Sequence, residues 1–255
     1  MHTPALDTAV TGLQTFNLLT LSLPSALAFQ LPNKLRLGHL TERVVAELIR
    51  ASANYKVLHE NIQIRDGNDT VGELDFIIEH QETQEQTHLE LAYKFYLYDP
   101  SLSTAPINCW IGPNRNDSLS KKLQKLKTKQ FPLLFDKRTA GILKDLDIST
   151  VSQMLCLLVS LYVPYNCDLE LGPEYLNAVK GYYLNFEMFA KLDDDPQVYY
   201  LPPKKEWGMK PATNDQWSTF DEIIGELRAS LHENRAPLCW QKNGDSYSEY
   251  FVTWW

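Results

Sequence analysis

Most of the short signals that name a chemistry are missing from this sequence. Its four cysteines, at positions 109, 156, 167 and 239, form no CxxC pair, and no Cys/His group has zinc-finger spacing. No Walker-type loop, GxGxxG, GxSxG or HExxH motif occurs, which removes the usual signatures of nucleotide binding, serine hydrolysis and zinc proteolysis. There is no internal repeat and no low-complexity tract. The longest apolar run near the start, LLTLSLPSALAF at 18–29, is too short to span a bilayer and contains Pro24. The segment before it has no Lys or Arg and carries Asp7, the wrong charge for a signal sequence. These features predict a cytoplasmic protein with reduced thiols and no membrane partner, Cys156 being buried in an apolar run.

What remains is ordinary for a globular chain. The 255 residues are 44% hydrophobic and 22% charged, enough for one large core or a core with an attached lobe. The net charge of −8 argues against non-specific binding of nucleic acid over the whole surface. Residues 115–144 run the other way, with nine Lys or Arg against two Asp or Glu.

Hydrophobic spacing organises the chain. Residues 5–29 read as short helical pieces broken at Pro24. Leu37, Leu40, Val44, Val45, Leu48 and Ile49 recur at helical spacing, with Glu42 near the edge of that stripe. Three strand-like stretches follow, at about 55–65, 70–79 and 87–98, the first two joined by the turn signal Asp66-Gly67-Asn68-Asp69. A helix is expected from Ser118 to about Gln130, with Leu119, Leu123 and Leu126 on its apolar side, and a buried strand at 152–163. Beyond it, helical patterns near 173–190 and 219–232 alternate with strand-like pieces at 197–201, 237–241 and 247–254. The fold class is α+β, with an N-terminal helical segment at 1–36, a core at 37–165 and an extension at 166–255 packed on that core.

Period-two alternation singles out the second and third strands. Leu74, Phe76 and Ile78 share one face, and Glu73 and Asp75 the other. On the third strand Leu89, Leu91, Tyr93, Phe95 and Leu97 share one face, and His88, Glu90, Ala92, Lys94 and Tyr96 the other. A hairpin that sets His80 opposite Glu85 puts Asp75 opposite Glu90, about 5 Å apart at Cβ. At an effective dielectric near 20 two carboxylates at that spacing repel by about 3 kcal/mol. Solvent, a shared proton or a cation would relieve the repulsion. Magnesium or manganese, which take one or two carboxylates plus water and phosphate oxygens, suit such a pair. A solvated sheet face is the structural alternative.

The stretches LGHLTERVVAELI, GELDFII, HLELAYKFYL and WIGPNRNDSLSKKLQKLKTKQ, within 36–98 and 110–130, resemble a bacterial family, domain of unknown function 1853. That family resembles the PD-(D/E)XK nuclease superfamily, whose core runs helix, three-strand antiparallel meander, helix, strand. The resemblance implies a metal-dependent nuclease-like phosphodiesterase acting on DNA or RNA. It assigns Asp75 and Glu90 as catalytic and metal-binding acids, Glu42 and Glu73 as further metal ligands, and Lys94 as the catalytic lysine. Lys122 and Gln130 match the second helix, which flanks the site. Lys121, Lys122, Lys125, Lys129, Gln130 and Arg115 are the expected nucleic-acid contacts, on a basic helix at 118–130 and beside it. The usual acid-x-lysine spacing is stretched here to Glu90 and Lys94, about 13 Å of extended backbone against about 6.6 Å, with Ala92 in the usual acid slot. That departure leaves a second expectation open, a catalytically degenerate nuclease fold that binds nucleic acid or a protein. Unrelated small-molecule chemistry on the same fold is a third. The oligomeric state is left open.

Overall fold

A computed structural model describes residues 6–29, 35–148, 151–168, 170–193 and 196–255. The chain divides into two compact units whose segments interleave. One comprises Ala5–Tyr93 and Lys121–Leu158, the other Lys94–Ser120 and Val159–Trp255. The architecture is mixed α+β, and strands β3 and β5 run through both units.

In the first unit, helix α1 (Leu37–Ala51) is followed by β1 (Tyr55–Asp66), β2 (Asp69–His80) and β3 (Gln86–Tyr98). Val45, Ala46 and Ile49 of α1 are fully buried against Phe76, Ile78, Leu89 and Leu91. Val45 and Ile49 each contribute about 1.5–3 kcal/mol on leaving water, and the smaller Ala46 less. The outer face of α1 is charged, Arg43, Glu47 and Arg50 pairing at i+3 and i+4 spacing. β1 and β2 join through the expected turn, with Gly67 at φ 61° and Asp66 opposite Asp69. β2 and β3 pair antiparallel from Phe76↔Leu89 to Glu79↔Gln86, closed by His80 N–H donating to Glu85 O at 3.0 Å. This is the register set by placing the apolar residues on one face.

The remaining elements cover the other face of this part of the sheet. Helix α2 (Leu119–Lys125) continues as a π turn at Leu126–Gln130, and α3 spans Lys137–Asp145. Ile62, Ile64, Leu74 and Ile77 pack there with Leu133, Leu134 and Ile148. β5 (Val151–Pro164) lies next to β3 and supplies Cys156 and Leu158 to the α1 side. Both faces of the meander are therefore covered, which corrects the reading of its polar face as solvated: His88 and Glu90 are 0% exposed. Leu74 also departs from strict alternation, packing with Ile77 rather than with Phe76 and Ile78. The strand is irregular at this point. Asn61, which the register count places across from Asp75, has φ 56°, a left-handed conformation that asparagine tolerates.

The second unit orders its strands β5-β6-β9-β8-β7, where β6 is Val179–Asn185, β7 Val198–Tyr200, β8 Leu238–Asn243 and β9 Ser246–Thr253. The two-residue strand β4 (Trp110–Ile111) pairs with β3. β5/β6 and β6/β9 are parallel, and β7/β8 and β8/β9 antiparallel. Helix α4 (Phe220–His232), opened by a Thr219/Glu222 capping box, buries Ile223 and Leu227 against Tyr199, Cys239, Tyr250 and Val252. Within 173–190 the helical reading gives way to a strand, β6, flanked by single helical turns. Gly181 explains part of this, because a Cβ there would collide with the Glu249 carbonyl of the adjoining strand. Only glycine lets the two backbones approach so closely.

Two glycines of this unit predict opposite outcomes. Gly181→Ala should lower the unfolding free energy by about 2–3 kcal/mol, because backbone must move. Gly225→Ala, in the middle of α4 with open space around it, should raise it by about 1 kcal/mol. Denaturant titration of both variants checks the pair, and equal effects would contradict the packing described.

Candidate functional site

Asp75 lies near enough to Glu90 for the Glu90 charge to act on its carboxyl. The β2/β3 pairing begins at Phe76↔Leu89, and counting its register one step further sets Asp75 across from Glu90. The Asp75 carboxylate accepts the Leu91 backbone N–H at Oδ2, 2.8 Å. The bond ties Asp75 to the strand that carries Glu90, just beyond the end of the β2/β3 pairing.

Glu90 is enclosed by donors. Its Oε1 accepts from His88 Nε2 at 2.9 Å and its Oε2 from Gln130 Nε2 at 2.6 Å. Gln130 in turn accepts from Lys122 Nζ at 3.0 Å. Gln153 Nε2 donates to the Phe131 carbonyl at 2.8 Å and reaches His88 Nδ1 at 3.1 Å. The bond to Phe131 pins the Gln153 amide, so His88 Nδ1 accepts and His88 Nε2 carries the hydrogen given to Glu90. A carboxylate receiving two side-chain donors acts purely as an acceptor.

The π turn makes this chain of donors possible. Eight residues of uninterrupted α-helix would turn Gln130 about 80° away from Lys122. The π turn holds more residues per turn and keeps both on the side facing Glu90. The same turn delivers Phe131, whose ring stands edge-on to His88 with centroids 6.0 Å apart.

The two acids differ electrostatically. Burial, the Glu90 charge and the Glu42 charge push the Asp75 carboxyl up to about 7, against the opposing Leu91 N–H and the Lys122 charge. Asp75 therefore takes up its proton at a higher pH than an ordinary carboxyl does. Glu42, on α1, is partly exposed and bonds His39 Nδ1 at 3.1 Å. Glu73 lies one alternation further along β2, across from Gln63.

The other expected residues fall as follows. Lys121, Lys125 and Lys129 are exposed on α2 and its π continuation, whereas Lys122 turns inward. Lys94 belongs to the second unit, where its ammonium donates to Asp117 Oδ2 at 3.0 Å. Arg115 is also in that unit, 3.4 Å from Asp99 and with its guanidinium 4.5 Å over the Trp255 ring. Sequence reasoning weighed His88 only as a neighbour on the polar face and did not reach Gln153. No local pattern marks Gln153, which is separated from His88 by 65 positions. Among the described residues no three His, Cys, Asp or Glu side chains form a ready set of metal ligands, and no helix is long and apolar enough to cross a membrane.

The raised carboxyl carries a stability signature. Asp75 binds its proton more tightly folded than unfolded. Its contribution is full below its ordinary value of 3.8 and is lost as pH rises through about 7. The loss amounts to at most about 4 kcal/mol. Asp75→Asn, which keeps an acceptor for Leu91, should therefore be more stable than the wild type at pH 8 and lose that advantage near pH 4. Melting curves across this range test it, and a pH-independent difference would contradict the assignment.

The family model for a domain of unknown function (DUF1853) matches residues 6–248. No curated protein and no solved structure matches the chain. With nearly its whole length matched, the chain belongs to the DUF1853 family.

Proposed function

We propose that the Asp75–Glu90 centre binds a divalent cation, magnesium or manganese, and that the protein is a nuclease-like phosphodiesterase of PD-(D/E)XK type. The observation carrying this reading is the proximity of two carboxylates on neighbouring strands, Asp75 being pushed up to about 7 by burial first and by the Glu90 charge second. The donor set suits a hard cation, because it consists of carboxylate oxygens and the Glu90 and Glu42 charges both act on Asp75. The order of α1, β1-β2-β3 meander, α2 and β5 supports the same reading.

In this reading Asp75 and Glu90 hold the ion, with Glu42 and Glu73 as further oxygen donors. The bound ion would lower the pKa of a coordinated water and offset charge on the phosphate. Glu90 is oriented by His88 and Gln130. Lys122, whose charge already acts on Asp75, supplies the ammonium beside the centre, a role the family resemblance had assigned to Lys94. The exposed Lys121, Lys125 and Lys129 offer a phosphate backbone a row of cations on the same helix.

A second reading, a non-catalytic member of the same fold, is favoured by the enclosure of Glu90, both of whose oxygens are engaged. Two measurements separate the readings. Manganese at about 100 times its dissociation constant should stabilise the wild type by about 2.7 kcal/mol, more at pH 8 than at pH 6, and Asp75→Asn should abolish the shift. Cleavage of single- and double-stranded DNA and RNA should fall about 100-fold or more in Lys122→Ala and persist in Lys94→Ala. A wild type whose melting ignores manganese would remove the metal reading. Manganese binding with no cleavage of any substrate would favour the non-catalytic one.

A further inference from the structure

We infer that His88, braced by Gln153, is the positioning residue of the carboxylate centre, fixing the orientation of Glu90 toward Asp75; the inference rests on the metal-binding reading above. Glu90 is fully buried, so its rotamer is decided by what its oxygens meet. Gln130 alone would leave the carboxylate free to swing about one hydrogen bond. His88 supplies the second, 2.9 Å from Oε1, and is itself 0% exposed. Its ring has little room to turn. Ile77 lies across from it on β2, Phe131 stands edge-on to it, and Gln153 donates to its far nitrogen.

Gln153 is held by a group outside the centre, the Phe131 carbonyl, at the end of the π turn. β5 and the α2 segment are thereby tied to one imidazole, and through it to Glu90. A ligand carboxylate supported by an outer hydrogen bond in this way loses roughly 10- to 100-fold in metal affinity when the support is removed. The alternative, that His88 merely fills space, predicts that an apolar ring of similar size would serve equally well.

Three variants decide between these. His88→Phe keeps the ring and removes the donor. His88→Gln restores an N–H in the place of Nε2. Gln153→Leu removes only the brace, and keeps the question open to test if His88→Phe fails to fold. One readout needs no metal: the Gln130 side-chain amide, bonded to Glu90 at 2.6 Å, should give a shifted, slowly exchanging NMR signal in the wild type. That signal should be lost in His88→Phe, weakened in Gln153→Leu and restored in His88→Gln. The manganese dissociation constant should rise roughly 10- to 100-fold in His88→Phe, less in Gln153→Leu, and return toward the wild-type value in His88→Gln. Wild-type signal and affinity in both His88→Phe and Gln153→Leu would overturn the inference, as would failure of His88→Gln to recover either. A wild type that does not bind manganese removes the metal reading alone, and the Gln130 signal then decides the positioning role.

Discussion

Two carboxylates face each other across a pair of strands in a region covered on both sides, and much of the first unit is arranged around that conflict. Like charges at this spacing, away from water, repel strongly. The structure resolves the conflict unequally. Glu90 receives a hydrogen bond on each oxygen, while Asp75 receives one from the backbone and holds a proton up to about 7. The asymmetry follows from position. Glu90 lies in mid-strand beneath the π turn, and Asp75 lies where β2 becomes irregular beside Asn61.

The polar network is expensive to assemble and needs all its members. His88, Gln130, Gln153 and Lys122 come from β3, the π turn, β5 and α2. A buried carboxylate that lost either donor would carry an unsatisfied oxygen, at a cost of about 1–3 kcal/mol or more. Such networks give a fold a single arrangement when complete. Here the same completeness presents one acid, Asp75, as the group whose state can still change.

Strand order and hairpin register were legible because they follow from local rules. Alternation put Phe76, Ile78, Leu89 and Leu91 on one face, and parity did the rest. Helix α1, the 118–130 helix and the β5 strand were legible from spacing for the same reason. Coverage of the polar face was not, since charged residues on a strand read as solvated whether or not a helix lies over them. Leu74 escaped alternation because the backbone beside Asn61 leaves regular geometry, which no hydrophobic pattern records. Residues 173–190 misread as helix because the decisive fact is the close approach of Gly181 to another strand.

The sequence by itself determined the register of the β2/β3 hairpin from Phe76 and Leu89 to its turn, a consequence of a period of two and a short connector. It also determined the family, through stretches long enough to be specific. Only tertiary structure decided what surrounds the Asp75 and Glu90 carboxylates. His88, Gln130 and Gln153 are brought together from segments up to 65 positions apart, and burial, which sets the charge of Asp75, belongs to the packed molecule rather than to any segment of it.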